Sequence, residues 1–286
     1  MKLVTFTTGD GERVGALTEA GVVDLTAAGV AASMIELIAG GAAALQRARD
    51  AAAAARHTLP QDAVRLLAPL RPGKTLCSGI NYKSHADENP NAKMPSYPHF
   101  FAKLSTAITG PDAPIEAPAG TRQMDYEVEF AAVIGRRLTR PAEAEIMPAI
   151  FGYTLLNDVS ARDVQFADNQ ITTGKNFDRF APIGPCIVTA DEMTRPDRIA
   201  LKARLNGRTL QDGNTADWLF PLPRLIGYLA SIMTLEPGDI VTTGTPAGVG
   251  YFQNPQIFMK PGDVVEIEAE GIGVLRNPIV APGATA

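Results

Sequence analysis

The segment Asp125-Tyr126-Glu127-Val128-Glu129-Phe130 alternates acidic with apolar or aromatic side chains. Side chains two apart on a strand share a face at a spacing of about 7 Å, so Asp125, Glu127 and Glu129 are expected to project together. Like charges this close repel unless a cation lies between them, and a hard divalent ion takes carboxylate oxygens. The competing reading is a solvated strand face. The unbroken apolar run from Ala131 to Ile134 that follows speaks for burial instead. A second acidic cluster, Asn157-Asp158-Val159-Ser160-Ala161-Arg162-Asp163-Val164-Gln165, comes directly after the apolar run Phe151–Leu156. Asp158 thus stands where a strand ends and sites tend to gather. Alone it reads as an Asx turn capping a helix; coupled to the glutamates it becomes a third oxygen ligand.

Histidine is scarce, with His57, His85 and His99 the full set. In Lys83-Ser84-His85-Ala86-Asp87-Glu88, a His and a Glu three apart face the same way on a helical turn. A carboxylate that orients an imidazole makes a general base able to activate water, although a chance surface pair has the same spacing. His57, beside an alanine run, and His99, before Phe100-Phe101, read as structural or surface residues. Lys175, in Gly174-Lys175-Asn176-Phe177-Asp178, lies among loop residues where a cation can stabilise an oxyanion or enolate. The turn Thr242-Thr243-Gly244-Thr245-Pro246-Ala247-Gly248-Val249-Gly250 offers backbone N–H groups around Gly244 and the Thr245 hydroxyl to a substrate carboxylate. It lacks the Gly-Lys-Ser/Thr ending of a phosphate loop and the dinucleotide-binding glycine spacing, so a nucleotide is not expected. Nothing marks Ser160 or Cys186 as a nucleophile.

Positioning such residues requires strands. Leu3–Phe6, Val14–Leu17 and Gly21–Leu25 read as short strands, followed by helical patterns at Met34–Ile38 and Ala42–Ala55. A proline-rich connector at 67–73 marks a boundary, giving a small N-terminal domain over 1–70 and a catalytic domain over 71–286. In the second part, short apolar runs at Thr75–Gly79, Val128–Ile134, Ile183–Val188, Ala200–Leu205, Asp239–Thr243, Val264–Ala269 and Val274–Asn277 are separated by turn residues. Only Ala142–Ala149 and Leu222–Met233 look helical there, which predicts a mainly β, α+β architecture without regular β-α alternation. With 45% hydrophobic residues over 286 positions the chain has ample core material, and disorder is excluded as its main state. A net charge of −5 with no basic stripe excludes a nucleic-acid binder acting through phosphate neutralisation. Two distant cysteines, Cys77 and Cys186, make neither a CxxC site nor a disulfide framework and fit a reducing, cytoplasmic setting. The N-terminus carries no secretory pattern, and the glycine-broken Ala27–Leu45 stretch reads as helix-loop-helix, with no membrane partner expected.

In their order, these motifs resemble the fumarylacetoacetate hydrolase family, specifically its short bacterial acylpyruvase-like branch. The matching segments are Gly79–Tyr82 with His85 and Glu88, Asp125–Glu129, Asn157–Asp163, Gly174–Asp178, Leu235–Asp239 and Thr243–Pro246. The resemblance implies a mixed β-sandwich roll with a small N-terminal α/β domain, assembled as a homodimer. It implies Glu127, Glu129 and Asp158 as ligands of Mg²⁺ or Mn²⁺, with Ca²⁺ able to take their place. His85 and Glu88 become the water-activating dyad, Lys175 the oxyanion and enolate stabiliser, and Arg162, Gln165 and Thr245 pocket residues. The longer fumarylacetoacetases have a larger N-terminal domain that supplies one more acidic ligand; here a water is expected in that position.

The activity so implied is that of a hydrolase acting on carbon–carbon bonds in ketonic substances. A 2,4-diketo acid of the acylpyruvate type would be attacked by the activated water at its distal carbonyl, expelling a pyruvate enolate held by the metal. The same site without water attack would serve a decarboxylase or isomerase of oxaloacetate or a hydroxymuconate-type diacid. A 2,4-diketo-3-deoxy sugar acid is a further candidate substrate. A non-catalytic metal or ligand binder on the same fold has no need of the dyad. Substrate choice is expected to reside in a mobile loop or lid over Asn89–Pro98.

Overall fold

A computed structural model of the chain describes residues 1–88, 94–167 and 170–284. Its centre is the strand Val128–Ile134, every residue of which is buried. The strand runs antiparallel between Ile150–Asn157 and Ile240–Thr242, so both its edges are hydrogen-bonded. Alternation then sends Phe130, Ala132 and Ile134 into one core and Ala131 and Val133 into another. A strand buried on both faces needs a layer on each side, and the two cores show what supplies them.

On the Phe130 side lies a five-stranded sheet in the order Arg208–Asn214, Ala200–Leu205, Val264–Ala269, Gly273–Val280 and Ile115–Glu116. Its Leu201, Ala203, Val265, Ile267 and Leu275 share the core with Phe130, as do Leu222, Ile226 and Leu229 of the helix Leu222–Ile232. On the Ala131 side pack the helices Met34–Ala39 and Gly41–Ala54, through Met34, Leu37, Ile38 and Ala48. The first helix begins with Ser33 accepting the Glu36 N–H and Glu36 reaching back to the Ala32 N–H, so two otherwise unpaired donors at its start are satisfied.

The large sheet continues beyond its central strands. Ala181–Thr189 pairs with Ile150–Asn157 on one edge and with Lys2–Thr7 on the other, with Leu3 opposite Ile187. Lys2–Thr7, Arg13–Thr18 and Gly21–Asp24 form an antiparallel meander that extends the sheet. At the opposite end, Thr75–Ser78 runs parallel to Ile240–Thr242 and antiparallel to Phe100–Lys103. The architecture is therefore mainly β, α+β, with few helices. No helix among the described residues is long and apolar enough to cross a membrane.

Three local expectations are corrected. The helical pattern over 142–149 yields one α-turn, Glu143–Ile146, before Pro148 tightens the chain into a 3₁₀ turn. Lys175, expected in a loop, closes a one-turn helix, Thr172–Lys175. The strand Arg208–Asn214 has no counterpart in the sequence reading because it is an edge strand whose polar residues alternate weakly. Of the expected Asn89–Pro98 lid, residues 89–93 lie outside the described residues.

Phe130 is fully buried and its ring lies 5.1 Å from Tyr153 and 6.2 Å from Trp218. Phe130→Ala is expected to destabilise the protein by about 3–5 kcal/mol, measured by urea denaturation. A loss below about 1 kcal/mol would show that the two layers do not depend on this contact.

Candidate active site

The register of two strands builds the acidic cluster. Val128 lies opposite Asn157, so the chain leaving Asn157 turns beside Glu127 and Glu129. The Asp158 N–H donates to the Glu127 carbonyl at 3.0 Å, and the Glu127 N–H donates to Asn157 Oδ1 at 3.1 Å. Glu127, Glu129 and Asp158 are all buried and offer oxygens within 4.8 Å of one another. At an effective dielectric near 20, each such pair of charges repels by on the order of 3 kcal/mol. Asp125 departs from the expected alternation, because the strand breaks between Asp125 and Val128. Its carboxylate instead accepts the N–H groups of Gly250 and Tyr251, at 2.7 and 3.1 Å, and fixes that loop.

Three buried cations offset the carboxylates. Arg162 donates through Nε to Asp125 at 2.9 Å and through Nη2 to Glu127 at 2.6 Å. Lys175 Nζ bridges Glu127 at 2.8 Å and Asp158 at 2.7 Å. Lys103 Nζ lies 2.6 Å from Asp158 Oδ1, an ion-pair distance outside the directional range of a hydrogen bond, and donates to the carbonyls of Val159 and Phe180. The sequence reading missed Lys103; its signal was a lone charge closing the apolar run Phe100-Phe101-Ala102.

Four carboxylates face three cations, and the carboxyl left without a paired cation is Glu129. Burial, then the charges of Asp158 and Glu127, push the Glu129 carboxyl well above its ordinary range. Glu127 behaves oppositely: burial opposes its ionisation, but Arg162 and Lys175 prevail and hold it well below the usual carboxylate range. Burial also pulls the Lys103 ammonium down, against the attraction of Asp158. Glu129 Oε2 is buried and has no hydrogen-bond partner among the described residues. An orphaned oxygen within a triad of hard oxygen donors is what a divalent cation such as Mg²⁺ or Mn²⁺ would satisfy, so the residues fit the expected metal.

The dyad is assembled on the helix Lys83–Glu88, where His85 Nδ1 pairs with Glu88 Oε2 at 2.7 Å. Glu88 is held from behind by the Gly248 N–H, 2.7 Å from its Oε1. Gly248 has φ +108, and a Cβ there would meet the Leu210 carbonyl at 2.1 Å, so only glycine brings this N–H to Glu88. The Ser84 N–H is held by Asp217 at 2.8 Å, and the His85 ring packs at an angle to Phe252.

Both constellations open on one cavity of about 240 Å³, lined by His85, Glu127, Glu129, Arg162, Gln165, Lys175 and Thr245 among others. Gln165 accepts from Arg162 Nη1, and Thr245 accepts from Gln211 Nε2, which leaves the Thr245 hydroxyl proton to be donated elsewhere. Gly244 is not among the lining residues; with φ +77 it packs against the Gly79 carbonyl and sets the turn that presents Thr245. Gly174 lets the Lys175 turn lie directly on the Gln165 backbone, where a Cβ would meet atoms at 2.6–2.7 Å. A wider cleft of about 610 Å³ beside Asn176–Arg179 has no buried carboxylate in its wall.

Glu129→Gln replaces a carboxyl whose ionisation burial and like charge oppose, and removes a ligand oxygen with it. The thermal midpoint of the metal-free protein is expected to rise, by roughly 2–4 °C for each kcal/mol relieved, while the upward shift caused by Mn²⁺ in the parent disappears. A variant that keeps the full Mn²⁺ shift would remove Glu129 from the ligand set.

Comparison with known proteins extends the geometry. The model for the C-terminal region of fumarylacetoacetate (FAA) hydrolase matches residues 74–280. The mitochondrial oxaloacetate tautomerase of Xenopus laevis is 38% identical, over 98% of this chain and 90% of its own. A fumarylacetoacetate hydrolase from psychrophilic Exiguobacterium antarcticum superposes with a TM-score of 0.84 at 34% identity, covering 98% of this chain and 99% of its own. A 5-carboxymethyl-2-hydroxymuconate delta-isomerase from Mycobacterium smegmatis gives 0.79 at 34% identity, covering 99% and 100%. Tautomerase, hydrolase and isomerase thus share this scaffold, and the chain belongs to the fumarylacetoacetate hydrolase family.

Proposed function

We propose that this protein is a divalent-cation-dependent enolising enzyme, interconverting the keto and enol forms of oxaloacetate or a similar 2-oxo diacid. The observation that carries the reading is that one imidazole, fixed by a carboxylate, shares a cavity wall with Glu127 and Glu129. The likeness to an oxaloacetate tautomerase and to a hydroxymuconate isomerase supports the same chemistry. Glu127, Glu129 and Asp158 would hold Mg²⁺ or Mn²⁺, which when bound supplies Lewis-acid polarisation of the 2-oxo group.

The protein's own groups would do the rest. With Nδ1 directed to Glu88, Nε2 of His85 is the basic nitrogen. It would take a proton from C3; the C–H electron pair shifts toward the C2 oxygen, and the imidazolium returns its proton to that oxygen. Lys175 directs two of its three N–H bonds at Glu127 and Asp158, leaving one to hold the developing oxyanion. Arg162 and Gln165 would line the substrate's flank, with the Thr245 hydroxyl donating to a carboxylate oxygen. Residues 71–286 would form the catalytic domain and 1–70 the small accessory one, a division supported by a family match that starts at residue 74. A homodimeric, cytoplasmic enzyme goes with this reading.

Hydrolytic cleavage of an acylpyruvate is the second reading, favoured by the brace of the Gly248 N–H on Glu88, which suits the dyad to activating water. The decay of enol-oxaloacetate absorbance and the cleavage of acetylpyruvate, each with Mn²⁺ and with EDTA, separate the two. Metal-dependent loss of the enol without acetylpyruvate cleavage is expected; the reverse pattern would replace the tautomerase with the hydrolase, and pyruvate released from oxaloacetate would point to a decarboxylase. His85→Ala is expected to lower the tautomerisation rate by about 10²-fold or more while leaving the Mn²⁺-induced thermal shift intact. Full activity in that variant would remove His85 as the base.

A further inference from the structure

We propose that His99 selects dicarboxylate substrates by binding the carboxylate distal to the 2-oxo acid end, an inference that rests on the reading of the cavity as a 2-oxo acid site. His99 lines the same cavity as His85 and the acidic residues, yet it is exposed whereas Glu127, Glu129 and Lys175 are buried. The cavity therefore has a direction, with the carboxylate cluster at its floor and His99 at its mouth. Ile80, Phe101 and Ile171 contribute apolar wall. A ligand with one end at the floor directs its other end toward the imidazole.

The cations deeper in the cavity are already engaged, Arg162 by Asp125 and Glu127 and Lys175 by Glu127 and Asp158. Among the described residues, the His99 ring has a perpendicular contact with Tyr97, centroids 4.7 Å apart, and no polar side-chain partner. It is the lining group able to carry a positive charge that is not committed to a protein carboxylate. Its position is also braced. The His99 carbonyl accepts the Gly79 N–H at 2.9 Å, next to the pairing of Phe100 with Ser78. Tyr97 leans on Tyr228, whose ring stacks on Phe100. An imidazole so held meets a carboxylate with little ordering cost, and the ion-assisted hydrogen bond is among the stronger polar contacts available.

Oxaloacetate and its 4-methyl ester, offered with Mn²⁺ to the parent, His99→Ala and His99→Arg, test this. Turnover by the parent addresses the enolising reaction alone. His99 is judged by the preference for diacid over ester, taken as a KM ratio and, independently of turnover, as a ratio of dissociation constants from calorimetry. The exposed position allows truncation without opening the core. His99→Ala is expected to cut the preference about tenfold with kcat for the ester unchanged, and His99→Arg to keep most of it. A loss below threefold in His99→Ala overturns the proposal, whether or not the parent turns either compound over.

Discussion

Burying four carboxylates and three cations in one cluster carries a desolvation cost of several kcal/mol per ion, recovered only through close pairing and well-directed hydrogen bonds. Much of the central sheet can be understood as meeting that condition. Arg162 ties Asp125 to Glu127, Lys175 ties Glu127 to Asp158, and Lys103 joins Asp158 to the backbone of two neighbouring segments. The pairing is complete except at Glu129, so the polypeptide alone is one positive charge short. A dication at that point would more than supply it, and an anionic substrate would then be drawn toward the cluster.

The strand pair Val128–Ile134 and Ile150–Asn157 makes this arrangement reproducible. Seven buried residues anchor one strand, and a one-residue slip would exchange its two cores, driving Phe130 toward the helices and Ala131 toward the facing sheet. The register that packs the cores is therefore the register that brings Asp158 to Glu127. Hydrophobic packing sets the spacing of the charges, and the charges contribute chemistry at the one end of the ladder that opens on the cavity.

Much of this was legible in the residues. The alternation of Glu127 and Glu129, the strand-end position of Asp158 and the three-residue spacing of His85 and Glu88 are local patterns, and local patterns survive folding. Lys103 and Gln211 were not legible, because their roles arise from contacts across the fold, 55 and 34 positions from Asp158 and Thr245 respectively. Asp125 was misread for the opposite reason: the alternation suggested a shared face, but a break in the strand turned its carboxylate toward the Gly250 loop. His99 read as a surface residue and is exposed, yet its neighbours make that surface the rim of a cavity.

The pairing of Lys2–Thr7 with Ala181–Thr189 gives the first residues of the chain a task that a separable appendage would not have. Without them, the backbone groups around Ile187 and Val188 would lack these partners, a template on which another copy could add a strand. The amino-terminal meander thus covers that stretch of the sheet. Because its strand precedes its partner by about 180 residues in the chain, the cover is made before the edge it protects exists.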